Sequence, residues 1–300
     1  SRPYEDTEDP VRRVCAVLKS FNLHYKRIGY EKDCWFFTAA QQDRLFAYCP
    51  QATFVDCSGI VEEGRLIKSE YEIELMRKAA KSTEAGMRAG IEAVTAGVTE
   101  HDIAAEIHYA MIKAGSEWPS IQPFVASGER GAIGHATWVN RTIQPEDSVF
   151  LEIGGCLKRY HVAMMRTAFV GGPAQILWDG EKVVQEAMAA SIEFIKPGVT
   201  AGEVDAVGRR TIASSNFGGT QVSRAGYSIG IGLPPDWGEG HILSLQPGEN
   251  RVLEANMTFH LIPWVQIPGK GGVGFSETVR VTETGCEPIT SFERKLFTVK

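Results

Sequence analysis

Two apolar segments between Val149 and Gly171 carry more ionisable side chains than a buried hairpin needs. The first apolar run ends at Glu152, the second strand is expected from about Tyr160 to Val170, and Gly154–Gly155 are expected to form the turn. The ionisable side chains are Glu152, Tyr160, His161 and Arg166. A buried ionisable group costs free energy unless it is paired. The cluster therefore predicts a functional site, the alternative being a surface hairpin with scattered polar residues.

Histidines and a second glutamate extend this set. His135 follows a Gly-rich loop, and Glu277 lies in an alternating strand within GVGFSE, which favours an interior position. Because imidazole titrates near neutral pH, His135 is the best candidate for a proton shuttle. The alternative is a loop histidine held by structural hydrogen bonds. We interpret His241 and His260 as histidines of the core or its rim.

The composition is typical of a globular protein. The 300 residues are 43% hydrophobic and 23% charged, enough for one large domain and a small one. A net charge of −6 gives no positive surface for nucleic acid. No apolar run approaches the roughly 18 residues of a membrane helix, and no signal peptide is visible. The six cysteines show no CxxC pair or regular spacing, which favours reduced thiols in a cytoplasmic protein.

Two domains are expected, residues 1–66 and residues 67–300. The first reads as a small α/β unit with too few strands for a complete sheet, so its other strands are expected to precede Ser1. The second opens with Ser69 and Glu72, which form a capping box before a long run of apolar residues at helical spacing.

The second domain contains an internal repeat. IEAVTAGVTEHDIAA begins at Ile91 and IEFIKPGVTAGEVDA at Ile192, an offset of 101 residues (192 − 91 = 101). In each copy a helix is expected to end before the glycine, and Thr99 or Thr200 to cap the next helix. The repeat predicts two α/β halves with a cleft between them. The alternative is a chance similarity of two helix–turn–helix segments.

Residues 70–300 resemble one known family. The repeat, the KSEYEIELMRKAA helix, GHATW, RYHVAMMRT, GYSIG and SETVRVTETG occur in the order found in creatinase, prolidase and methionine aminopeptidase, the peptidase M24 class. Residues 1–66 resemble the second half of the N-terminal domain of creatinase and prolidase. The resemblance implies an α+β pita-bread fold with a pseudo-twofold repeat, plus a partial N-terminal α/β domain.

Metallopeptidases of this class hold two divalent ions with two aspartates, a histidine and two glutamates, and the ions activate a water molecule. The resemblance aligns these ligands with Glu152, Ala163, Tyr227, Leu261 and Glu277. Two carboxylates from five positions cannot complete a site for two hard cations. The resemblance therefore implies no metal and no other cofactor, with a divalent ion such as Mn, Co or Zn as the disfavoured alternative.

Creatinase is a member of this class that works without metal, and it is similar to this chain at His135, Ala163 and Glu239. The residues expected to act in catalysis are His135, Glu152, Glu239 and Glu277. The glutamates complement a cationic substrate, and one of them acts as general base or nucleophile. The residues expected to bind substrate are Tyr160, His161, Arg166, Tyr227 and Trp237. For His161 a structural role, and for Arg166 a bracing role, remain open.

The combination of LEIGGCLKRYHVAMMRT, GYSIGIGLPPDWGEG and FHLIP most resembles the ectoine hydrolase branch, whose members open a cyclic amidine to an N-acetyl-diaminobutyrate. The expected function is metal-independent hydrolysis of a C–N bond in a small amidine or zwitterionic compound, with ectoine as the best single substrate. The alternatives are an M24 metallopeptidase acting on Xaa-Pro dipeptides, a creatinase, and a non-catalytic binding module. The expected partners are a small-molecule substrate and, by resemblance to creatinase, a second copy of the chain in a homodimer. Neither nucleic acid nor membrane is expected.

Overall fold

The computed structural model describes residues 3–217 and 224–300. The chain divides into two compact units, residues 1–64 and residues 65–300, whereas the sequence placed this boundary after residue 66. In the first unit β1 and β2 pair in parallel, and α1 packs on α2 around a small core. The elements up to the boundary are α1 Pro10–Ser20, β1 Arg27–Tyr30, α2 Ala39–Tyr48, β2 Thr53–Asp56 and α3 Ile60–Leu66.

The second unit is built on two helix pairs that correspond to the internal repeat. They are α4 Glu70–Ala93 with α5 Glu100–Lys113, and α6 Gln175–Phe194 with α7 Ala201–Ala213. Thr99 and Thr200 both cap a helix by accepting a hydrogen bond from the third residue beyond. Gly97 and Gly198 precede them with φ of 97° and 94°, a conformation that favours glycine. The repeat in sequence is thus a repeat in structure.

Among the described residues, ten strands form one sheet, on which these helix pairs pack. The main path is β13-β12-β9-β6-β5-β4-β3, with β7 and β8 paired to β6, β14 paired to β5, and β10–β11 forming a separate ribbon. The strands are β3 Phe124–Ser127, β4 Ser148–Leu157, β5 Tyr160–Val170, β6 Gly226–Leu233, β7 Asp236–Gly238, β8 Ser244–Leu245, β9 Thr258–Leu261, β10 Trp264–Ile267, β11 Gly271–Gly274, β12 Glu277–Val281, β13 Cys286–Pro288 and β14 Phe297–Val299. None of the helices in the described part of the chain combines the length and apolarity needed to cross a bilayer.

The hairpin β4–β5 exists, but its turn is not at Gly154–Gly155. The strands continue past both glycines, and the chain reverses at Lys158 and Arg159, whose φ angles are 48° and 69°. The two glycines serve close packing instead. A Cβ on Gly154 would lie 2.9 Å from the ring of Trp237, and one on Gly155 would lie 2.7 Å from the carbonyl oxygen of Ala79. Sequence reasoning took them for a turn because close approach and chain reversal both select glycine.

Candidate functional site

The strand β4 presents two different faces, and the site lies on one of them. Val149, Leu151 and Ile153 pack into the core beside α4 and α5. The alternate residues Phe150, Glu152 and Gly154 point to the opposite side, because successive side chains in a strand point to opposite faces. A single carboxyl group therefore emerges on a face that is otherwise apolar.

Five aromatic rings surround this face, and we call them the aromatic enclosure: Phe124, Phe150, Tyr227, Trp237 and Trp264. Phe124 lies directly across from Glu152 on the neighbouring strand, so both side chains share one face. The Phe124 and Trp237 rings meet edge to face at 5.8 Å, and the Phe150 and Trp264 rings at 6.3 Å.

Glu152 is buried in this enclosure without a partner among the residues that the structure describes. Its residue is 4% exposed, and no hydrogen bond or ion pair to its carboxyl group is formed within residues 3–217 and 224–300. Burial, together with the charge of the nearby Asp236, raises the pKa of Glu152 to about 8. The group is therefore largely protonated at neutral pH until a positive charge enters the enclosure.

A chain of hydrogen bonds forms one wall of the enclosure. Trp237 Nε1 donates to the Tyr227 hydroxyl oxygen at 3.0 Å, and this hydroxyl bonds His260 Nδ1 at 2.9 Å. His260 Nε2 then bonds Ser276 Oγ at 2.6 Å. Burial lowers the pKa of His260 to about 3, and burial with the nearby charge of Glu152 raises the pKa of Tyr227. Both groups stay neutral, so the Tyr227 hydroxyl is a fixed polar contact and not a nucleophile.

His135 lies at the mouth of the enclosure. Its ring stacks on Phe124 at 4.7 Å between centroids and 12° between planes, while the residue itself is exposed. Desolvation lowers its pKa, the negative charge of Asp236 opposes this, and Arg224 lowers it further. A neutral imidazole at an open edge is suited to accept a proton and pass it on.

The loop that carries His135 is anchored by Glu100, a fully buried carboxylate at the start of α5. Glu100 accepts hydrogen bonds from Ser127 and from the backbone N–H of Val139, which lie on either side of His135. Arg130 completes the arrangement with an ion pair of 2.6 Å to the same carboxylate. These contacts on both sides of His135 hold its left-handed backbone, with φ of 64°.

Glu239 lies elsewhere, which corrects the expectation that it joins Glu152 in one site. Its carboxylate pairs with Lys68 at 2.6 Å and with Arg65 at 2.9 Å, and it accepts a hydrogen bond from Ser228. Ser228 and Tyr227 are consecutive residues of β6 and point to opposite faces of the sheet. Glu239 is therefore on the other side of β6 from the Tyr227 hydroxyl.

Glu277 and Arg166 are also absent from the enclosure, a second correction. The side chain of Glu277 shares a face with Leu261, its cross-strand partner, whereas the adjacent Thr278 shares a face with His260. Glu277 is held by Arg166 and by the hydroxyl of Thr290. The remaining Arg166 donors go to backbone carbonyl oxygens, so this arginine braces strands and has no free donor for substrate.

Tyr160 and His161 are likewise engaged in structural contacts. The Tyr160 hydroxyl donates to Glu72 at 2.6 Å. His161 is fully buried, accepts from the backbone N–H of Ser120 at 3.1 Å and bonds the carbonyl oxygen of Arg159 at 2.9 Å. Burial lowers the pKa of His161 to about 4, so it remains neutral. Of the substrate-binding candidates, the structure brings Tyr227 and Trp237 beside Glu152, and not Tyr160, His161 or Arg166.

Comparisons with known proteins identify the family of this chain. The model of metallopeptidase family M24 matches residues 74–283. The chain belongs to family M24. It is 34% identical over 296 residues to the ectoine hydrolase of Halomonas elongata, covering 94% of this chain and 72% of that protein. It is 30% identical over 243 residues to the Xaa-Pro dipeptidase of Pyrococcus furiosus, covering 81% and 68%.

Solved structures of M24 proteins share the fold. The X-Pro aminopeptidase of Thermotoga maritima superposes with a TM-score of 0.88 at 25% identity, over 97% of this chain and 79% of that one. The Xaa-Pro dipeptidase of Bacillus anthracis superposes with a TM-score of 0.87 at 29% identity, over 98% and 79%. The pita-bread fold expected from the sequence is thereby confirmed, and the chain is an M24 hydrolase.

The residues of this M24 protein do not fit a pair of metal ions. Ala163 offers only a methyl group, and the Tyr227 hydroxyl is already bonded to Trp237 and His260. Leu261 and Glu277 point away from Glu152, and Glu277 is occupied by its own partners. Within the described residues, no three side chains of His, Cys, Asp or Glu converge as a metal site would require.

Sequence reasoning missed several residues of the site: Arg224, Asp236, Ser276 and the anchoring Glu100. His260 is a core histidine, as the sequence predicted: it is fully buried, and its two ring nitrogens bond Tyr227 and Ser276. One signal was present in the sequence. Successive side chains of the FSET segment point to opposite faces of the strand. Because Glu277 pairs with Leu261, on the face away from the site, Ser276 points to the face of the site.

Proposed function

We propose that this M24 protein hydrolyses a C–N bond in a small cationic amidine, with ectoine as the favoured substrate, and that it does so without metal. The observation that carries the proposal is Glu152, a buried carboxyl group inside the aromatic enclosure that has no partner among the described residues. The faces of aromatic rings attract cations, and a carboxylate completes such a site with a full opposite charge. An amidinium group matches both features because it is planar, cationic and able to donate to a carboxylate.

The raised pKa of Glu152 couples its ionisation to the binding of a cation. The neutral carboxylic acid is the stable form when the enclosure is empty of charge, because its pKa is about 8. An amidinium beside it stabilises the carboxylate, so binding releases the proton from Glu152. A neutral substrate gains no such ion pair, and the proposal therefore favours amidines over uncharged amides.

The reaction assigned to this site is addition of water to the amidinium carbon followed by loss of one nitrogen. The bond that forms joins the water oxygen to the amidinium carbon, and the bond that breaks joins this carbon to a ring nitrogen. His135 is the neutral base that takes a proton from the attacking water and returns it to the departing nitrogen. Glu152 holds the cation, and Tyr227 supplies a fixed hydroxyl beside it.

The relatives support this proposal in part. The ectoine hydrolase of Halomonas elongata is among the similar proteins, and the Xaa-Pro dipeptidases favour the second candidate, a metal-dependent dipeptidase. The residues around Glu152 argue against a metal-dependent dipeptidase, because they do not fit a pair of metal ions. A non-catalytic binding module is the third candidate, and the accessible, neutral His135 beside the enclosure argues against it. A homodimer remains a prediction from resemblance.

Turnover measurements separate the candidates. Purified protein of known metal content is incubated with ectoine, creatine, Ala-Pro and Gly-Pro, each with and without EDTA. We expect ring opening of ectoine that EDTA leaves unchanged. Cleavage of a dipeptide that is lost with EDTA and restored by Mn²⁺ would overturn the proposal, as would absence of turnover for all compounds.

Matched glutamine variants test the assignment of the carboxylate. Glu152→Gln keeps the shape of the side chain but removes its charge, and we expect kcat/KM for ectoine to fall by about 100-fold or more. Glu277→Gln changes a carboxylate that contacts Arg166 on the opposite face and is the control. If Glu277→Gln, once shown to be folded, loses as much turnover as Glu152→Gln, the assignment is wrong.

A further inference from the structure

We infer that Arg224 binds a carboxylate of the substrate, so that the site requires a zwitterion: a cation at Glu152 and an anion at Arg224. This inference depends on the proposed function for its choice of substrate. It adds a specificity-determining residue that the sequence did not single out.

The first observation is that the Arg224 guanidinium has no acidic partner in the part of the chain that the structure describes. Within residues 3–217 and 224–300 its side chain makes one hydrogen bond, from Nη1 to Ser244 Oγ at 2.8 Å, and no ion pair. Within the described residues of this unit, several other partly or fully buried arginines pair with a carboxylate, namely Arg65, Arg130, Arg141, Arg166 and Arg280. Arg159 is an exception, since its donors go to backbone carbonyl oxygens and to Ser120. A planar group with unused donors is suited to bidentate binding of a carboxylate.

The second observation is where this guanidinium lies. It is stacked over the ring of Tyr227 at 4.6 Å from the centroid, and the hydroxyl of the same ring bonds Trp237 and His260 in the wall of the enclosure. The positive charge of Arg224 is close enough to lower the pKa of His135 and of His260. Arg224 therefore lies against the Tyr227 side of the enclosure.

The third observation is that the chain leaves room for this arginine. A Cβ on Gly240 would lie 2.8 Å from Nη1 and 2.9 Å from Nη2 of Arg224, so a larger residue at position 240 would displace the guanidinium. The hydroxyl of Ser244, which accepts a hydrogen bond from the guanidinium, also donates to the carbonyl oxygen of Gly240 at 2.8 Å. These contacts fix the arginine in place without neutralising its charge.

Together the two charges define the substrate class. Glu152 offers one negative charge inside the aromatic enclosure, and Arg224 offers one positive charge across the ring of Tyr227. A small compound that carries an amidinium and a carboxylate a few bonds apart satisfies both. An amidinium without the carboxylate leaves Arg224 unpaired and is expected to bind weakly.

The test compares two ligands on three variants. The ligands are ectoine and the same cyclic amidine without its carboxylate, and binding is measured by calorimetry beside kcat and KM. The variants are Arg224→Met, Arg224→Lys and the control Arg88→Met. Arg88 is also stacked on an aromatic ring, at 5.2 Å from the centroid of Phe292, but it is an exposed residue of α4 outside the enclosure.

We expect Arg224→Met to raise KM and Kd for ectoine by roughly 100-fold, with a smaller change in kcat, because one charge-assisted pair is lost. Arg224→Lys is expected to recover part of this loss, and Arg88→Met to behave as wild type. The decarboxylated amidine is expected to bind wild type and Arg224→Met equally. If wild type binds both ligands equally well, or if Arg224→Met weakens both to the same extent, the inference is wrong.

Binding and turnover fail separately in this design. Tight, Arg224-dependent binding of ectoine without ring opening would overturn the proposed reaction and retain the carboxylate site. Ring opening of both amidines at equal kcat/KM would retain the reaction and overturn the role of Arg224.

Discussion

The three glutamates that the sequence predicted to act in catalysis have three different environments in this protein. Glu239 is held by two cations, Glu277 by Arg166 and a hydroxyl, and Glu152 by neither. Only the unpaired one faces the aromatic enclosure. Its burial without compensation destabilises the fold, and such destabilisation is typical of sites where charge is needed for function.

Replacement of Glu152 by glutamine is expected to stabilise the protein in a pH-dependent way. The pKa is about 8 in the folded state against 4.5 as the ordinary value, so the folded state keeps a proton that the unfolded state releases. The stability that this proton provides is complete below pH 4.5 and is lost as the pH rises to about 8. Relative to wild type, Glu152→Gln should gain little at pH 4 and about 3 to 5 kcal/mol at pH 8.

Urea unfolding at the two pH values measures this difference. Glu92→Gln is the matched control, since Glu92 is exposed on α4 and its loss is expected to change the free energy of unfolding little at either pH. An equal effect of Glu152→Gln at both pH values would contradict the raised pKa.

At the scale of elements, the site depends on the hairpin β4–β5 and on a loop. Gly154 lets the ring of Trp237 lie against β4, and Glu100 brackets the loop that carries His135. Neither residue carries out chemistry in the proposed reaction. Each determines where a side chain of the site can be.

A methyl group at position 154 tests the close approach of Trp237. In Gly154→Ala the new Cβ would lie 2.9 Å from the indole ring of Trp237, so the ring must shift from its present position. We expect a loss of about 1 to 3 kcal/mol in the free energy of unfolding and weaker binding of ectoine. Gly172→Ala is the control, because a Cβ there meets no atom within 4 Å. Unchanged binding in a destabilised Gly154→Ala would mean that the position of Trp237 is not needed for the ligand.

At the scale of the whole molecule, the two repeated halves are joined by buried charges. Lys68 and Arg65, at the entry to the first helix pair, meet Glu239 from the second half. Lys68 is 2% exposed, and burial lowers its pKa while Glu239 opposes this. A buried ion pair adds little stability by itself, but its disruption leaves a charge without compensation.

Glu239→Gln is therefore expected to affect stability more than turnover. Loss of the carboxylate leaves Lys68 and Arg65 without an anion, and the free energy of unfolding should fall by about 3 kcal/mol. The folded fraction should retain nearly its full kcat, since Glu239 lies away from the enclosure. Thermal unfolding and turnover, measured on one preparation, test this prediction. A fully stable Glu239→Gln without activity would restore Glu239 to the catalytic residues.

The sequence alone determined the family, the pita-bread fold, the internal repeat and the hairpin that presents Glu152. It also identified His135, Tyr227 and Trp237, which the structure brings to one place. These features are encoded locally, in helical spacing, in caps such as Thr99 and Thr200, and in strands with a defined parity.

Only the tertiary structure decided which carboxylate is free. Glu239 pairs with Lys68 across 171 positions of the sequence, and Glu277 with Arg166 across 111. Whether a carboxylate is neutralised depends on atoms within a few Å, and residues so distant along the chain become neighbours only when the sheet closes. For the same reason the position of Arg224 over the ring of Tyr227 was invisible until the strands were assembled.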